Sequence, residues 1–75
     1  MKQTETSLEM AQRHVVESEA RCTRQTDLLR EMITGNHPEA ARVMQRVLAA
    51  SEDSLDVLRE HLIQEEKRVA PDPAA

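Results

Sequence analysis

Four residues of this chain have the types and spacing from which a helical metal site is built: His14 with Glu17 three residues on, and His61 with Glu65 four residues on. Histidine nitrogens and carboxylate oxygens on facing helices ligate metal ions inside helical bundles. Two histidines near one another also respond to pH in the physiological range. The pattern is incomplete for either role. Di-iron bundles use Glu-x-x-His on paired helices together with further glutamates. Here the order His-x-x-Glu is reversed, occurs once, and has no match in the second half. The expectation is two solvated or hydrogen-bonded histidines, with no metal and no cofactor.

The single Cys22 is the other reactive side chain. A redox or nucleophilic role needs an exposed thiol of depressed pKa, and a resolving cysteine is absent. A packed, free Cys behaves as a small hydrophobe. The sequence has no Gly-rich phosphate loop, no Ser-His-Asp order and no C-x-x-C. No catalytic residue is expected.

What positions these residues is written in the breakers. Gly35 and Pro38 stand at the centre, Pro71 and Pro73 near the end, and nothing between interrupts a helix. "MITGNHPEAA" therefore reads as a helix stop followed by a helix start. Gly35 is expected to take the left-handed conformation that closes a helix. Pro38 suits the first helical position, with Asn36 or His37 at the cap before it. Glu39 places an acid in the first turn, where the helix dipole favours it. Thr6 and Glu9 have capping-box spacing. The expected elements are a helix over about 6–34, a turn at 35–37, a helix over about 38–68, and a disordered tail at 71–75.

Apolar residues then choose the packing. Leu8, Val15, Cys22 and Leu29 recur every seventh residue, each followed three later by Ala11, Ser18, Gln25 and Met32. Ala41, Leu48, Leu55, Leu62 and Val69 do the same in the second half, with Met44, Ser51, Leu58 and Glu65. These are heptads of a left-handed coiled coil. Folding at the turn pairs Met32 with Ala41, Leu29 with Met44, Gln25 with Leu48 and Cys22 with Ser51. It continues with Ser18 against Leu55, Val15 against Leu58 and Ala11 against Leu62. His14 and His61 fall on one flank of this seam. Glu5 with Glu66, and Glu19 with Glu52, are expected to face one another on an acid-rich flank.

The second half carries a further stripe: Ala40, Val43, Val47, Ala50 and Val57, joined by Leu28 from the first. One hairpin cannot bury it. An exposed contiguous apolar patch marks an interaction surface. The expected partner is a second copy, giving a homodimeric four-helix bundle.

Composition agrees. The chain has 75 residues, no Phe, Trp or Tyr, and a net charge of -4. A monomeric core without aromatic side chains is thin, and small scaffolds are commonly completed by oligomerisation. The acidic balance argues against nucleic acid, whose binding needs a basic patch. No apolar run is long enough for a membrane span, and "MKQTETSLEM" lacks the apolar stretch of a signal peptide. The expected compartment is the cytoplasm.

The stretch "HVVESEARCTRQ" at 14–25, with "GNHPEAAR" and "SLDVLREHL" after it, resembles a family of small uncharacterised helical-hairpin proteins of alphaproteobacteria. The matching residues are His14, Glu17, Glu19, Arg24, Gln25, Gly35, His37, Ala41, Arg42, Arg59 and His61. The resemblance spans 14–62. It implies a hairpin fold and a bacterial cytoplasmic origin, and it implies no activity. The sequence is thus read as an all-α antiparallel hairpin acting as a non-enzymatic, self-associating module. The alternatives are a metal-binding bundle using His14 and His61, and an acidic adaptor or antitoxin-like regulator that binds another protein.

Overall fold

The computed structural model describes residues 4–70 as two long helices joined by a tight turn. Helix α1 spans Ser7–Thr34 and α2 spans Pro38–Val69. The start of α1 is set by Thr6. Its hydroxyl accepts a hydrogen bond from the Glu9 amide at 3.0 Å, and the Glu9 carboxylate accepts one from the Thr6 amide at 3.0 Å. Two otherwise unpaired amides are satisfied by this capping box.

The turn corrects one expectation. Gly35 is not left-handed: its φ is -79° and its ψ 1°. The left-handed residue is Asn36, at φ 59°. The His37 amide bonds the Met32 carbonyl at 2.8 Å and the Asn36 amide bonds the Ile33 carbonyl at 3.1 Å. That pair of bonds is the Schellman closure, with Asn36 in the place more often held by Gly. The reason lies on the far side of the turn. A residue before proline is excluded from the helical region, so His37 is drawn out to φ -113°, ψ 73°, and the reversal falls on the residue just before it. Gly35 matters through space instead. A Cβ there would lie 3.1 Å from the Glu31 carbonyl oxygen and 3.1 Å from His37 Cδ2.

Asn tolerates the left-handed region because its short polar side chain bonds locally, whereas a β-branched residue does not. Asn36→Gly is therefore expected to keep or raise the melting temperature. Asn36→Val is expected to cost about 1–2 kcal/mol. Thermal denaturation of the two variants checks the sign: equal melting temperatures would remove the strain argument.

Pro38 opens α2, with His37 at the cap position making no side-chain bond. Glu39 stands in the first turn and Lys67 and Arg68 in the last, each charge opposing the helix dipole at its end. The two helices pack along their length. The seam is the expected one. Ala11, Val15, Ser18, Ala41 and Leu55 are buried. Leu8, Cys22, Gln25, Leu29 and Met32 are half-buried, as are Met44, Leu48, Ser51, Leu58, Leu62 and Glu65. Outside the heptad positions only His14 and Thr26 among the described residues are as well covered. Val69 is the exception, 51% exposed. Its counterpart in the register precedes the start of α1, so no helix lies opposite. The expected tail at 71–75 falls outside the described residues.

Among the described residues, two polar atoms in the seam find no hydrogen-bond partner, Ser18 Oγ and Gln25 Oε1. Ser18 is 2% exposed and shares its layer with Leu55. The small residue admits the large one, at the cost of a hydroxyl set among apolar atoms.

Candidate functional site

His14 is half-buried on α1 and His61 is exposed on α2. The carboxylates expected beside them are held by arginines. Arg13 Nη1 donates to Glu17 at 3.0 Å, while its Nε and Nη2 grip Glu5 at 2.9 and 3.0 Å. On α2, Arg68 donates to Glu65 through Nε at 3.1 Å and Nη2 at 2.7 Å. His61 Nε2 stands 3.5 Å from the other Glu65 oxygen. Among the described residues, no three of His, Cys, Asp and Glu gather closely enough to hold a metal ion. Adding zinc is therefore expected to leave the melting temperature unchanged. A rise that disappears in His14→Ala would restore the metal reading, because a ligand of the folded state alone stabilises it.

The Arg13–Glu17 and Glu65–Arg68 pairs have helical spacing. The Arg13–Glu5 pair does not. Glu5 precedes the helix, and only the path of the chain before Thr6 brings it back onto Arg13. The bonds from Arg13 hold the Glu5 carboxyl below the ordinary carboxylate range. Bonds from Arg68, with His61 adding to them, do the same for Glu65. A carboxyl whose pKa is lower folded than unfolded contributes stability above its unfolded pKa, and loses it as the pH falls through the folded value. The arginine of each pair is exposed to solvent, so the effect is small. NMR titration is expected to show the Glu5 carboxyl protonating below the ordinary carboxylate range. Arg13→Gln should move that protonation to higher pH.

Across the hairpin, Arg59 Nη2 donates to Glu19 at 3.1 Å. Glu19, expected to face Glu52, is paired with this long arginine, which stands one heptad further along α2 than Glu52. Glu5, expected to face Glu66, is likewise paired with an arginine, Arg13 of its own half of the chain. The flank is acid-rich but interleaved with arginines.

Cys22 is free and half-buried at its seam position. A depression of about 340 Å³ lies beside the turn, among Ile33, Asn36, His37, Pro38, Ala41, Arg42 and Gln45. It offers one imidazole and one guanidinium, with no carboxylate or thiol to work with them.

The largest uncommitted feature is apolar. Val43 is 58% exposed, Val47 41%, Val57 68% and Leu28 44%. Ala40 and Ala50 are exposed between them. The stripe lies about 100° around α2 from the seam, at 3.6 residues per turn. Two helices of a bundle corner present their contact faces at about such an angle. No helix among the described residues is long and apolar enough to cross a membrane. No protein-family model, curated protein or solved structure matches the chain.

Proposed function

We propose that the protein is a non-enzymatic helical module whose activity is association, first of all with a second copy of itself. The observation that carries this reading is the valine stripe on α2. Its members keep between 41% and 68% of their surface in water, although the seam beside them is closed. Apolar surface of this continuity is favourable to bury and costly to leave exposed. The hairpin by itself encloses little: among the described residues five side chains are buried, and two of those are alanines. A partner covering α2 would add the core that a chain of this size lacks.

Nothing in the arrangement favours chemistry. The histidines are on the surface flank, their neighbouring carboxylates are held by arginines, and the one thiol is packed in the seam. A bacterial origin rests on the family resemblance, and the cytoplasmic setting on the sequence expectation. Sedimentation equilibrium over a range of concentrations tests the reading. A dimer at micromolar concentration, with a melting temperature that climbs with concentration, is the expected result.

A further inference from the structure

The stripe on α2 is complementary to itself in one direction only, and we infer that two copies pair through α2 in antiparallel orientation, the two-fold axis crossing near Leu48 and Ala49. This rests on the self-association reading and specifies it. The stripe comprises Ala40, Val43, Val47, Ala50, Ser54 and Val57, stepping by three and four residues along the exposed side of α2. Run antiparallel to a second copy about that centre, Val47 meets Ala50, Val43 meets Ser54 and Val57 meets Ala40. Each layer sets a valine against a small residue, and each occurs twice by symmetry. Large-against-small layers interdigitate, which is how close helix contacts are filled. An isologous interface requires such self-complementarity.

The neighbouring registers are worse. One heptad in one direction puts Val43 against Val47 and Ala40 against Ala50, and leaves Val57 beside the partner's turn. One heptad in the other puts Val47 against Val57, Val43 against His61 and Ala40 against Gln64. A parallel pair places every residue against itself, so valine crowds valine and alanine leaves a gap against alanine.

Charge selects the same arrangement. Arg46 and Asp53 lie on the outer border of the stripe, and neither enters an ion pair within the hairpin among the described residues. In the antiparallel pairing about this centre, Arg46 of each copy borders Asp53 of the other. Opposite charges at the rim of an interface fix register and direction. In a parallel pair Arg46 would meet Arg46, and Asp53 would meet Asp53.

The test uses the full chain with Cys22→Ser, whose fold is first checked by circular dichroism. Two further variants are made in it, Ala40→Cys and Val57→Cys. They are mixed, oxidised under mild conditions and weighed by mass spectrometry, with sedimentation run on the reduced samples. A dimer by sedimentation whose disulfide-linked product is mostly the mixed species, one Ala40→Cys chain to one Val57→Cys chain, is the expected result. A dimer that yields mostly like-with-like products would overturn the antiparallel arrangement while leaving self-association standing. A monomer at high concentration with no linked product would overturn both. The exchange Arg46→Asp with Asp53→Arg in one chain supplies the second check. Arg46→Asp alone should weaken the dimer severalfold, and the double exchange should restore it. Loss without restoration would remove the charge pairing.

Discussion

Val47→Glu is expected to turn the protein into a monomer of reduced helicity. Val47 lies near the middle of the α2 stripe, 41% exposed, and the register puts it beside Leu28, 44% exposed. In a symmetric dimer each chain would carry one new carboxylate into the same interface. Taking an ionised carboxylate out of water costs several kcal/mol even after relaxation. The valine it replaces contributes on the order of 1 kcal/mol by burial, so the substitution changes the sign of the contribution at that position. The parent should sediment as a dimer at micromolar concentration, and Val47→Glu as a monomer whose melting temperature no longer depends on concentration. Helicity should fall as well, because two helices with so few buried side chains gain much of their stability from the packing of apolar faces. If the parent itself is monomeric and well folded at high concentration, the self-association reading fails, and the stripe becomes a site for a different protein.

Leu55→Ala is expected to be the most damaging change in the seam. Leu55 is 6% exposed and lies near the middle of α2, against Ser18. Truncating a buried leucine costs about 2–5 kcal/mol, the lost burial adding to the cavity left behind. Marginal stability of roughly 0.05–0.15 kcal/mol per residue leaves little reserve for a chain of this length. The variant should lose most of its helical circular dichroism at moderate temperature. Ser18→Ala, in the same layer, should do the reverse. It removes a hydroxyl that has no partner, so the melting temperature should hold or rise slightly. Val57→Ala serves as the control in monomeric conditions, because Val57 is 68% exposed. A Leu55→Ala chain no less stable than Val57→Ala would mean that the seam is not the core.

Much of this fold was written locally. Thr6 and Glu9 state the start of α1, and Pro38 the start of α2, because capping and proline geometry depend on residues a few positions apart. The seam followed from two facts together, the heptad spacing and the position of the turn. An antiparallel register has no further freedom once the loop is three residues long. Thus Ala11, Val15, Ser18, Ala41 and Leu55 could be named as covered positions from the sequence, and their burial agrees.

What tertiary structure decided is of two kinds. The first is which of several permitted backbone states each turn residue takes. Gly35, Asn36 and His37 all carry turn chemistry, and the left-handed step went to Asn36 only because Pro38 constrains the residue before it. The second is which partner a long charged side chain selects. Spacing offered Glu17 to His14 and Glu52 to Glu19. Arg13 took Glu17 at i,i+4 spacing, and Arg59, one heptad past Glu52, reached Glu19, since an arginine is long, flexible and donates in a fork that a histidine does not possess. Heptad position determines which side of a helix a residue occupies. The reach of the side chain and the course of the chain outside the helix determine what it touches there, and both are fixed only when the two helices lie against each other.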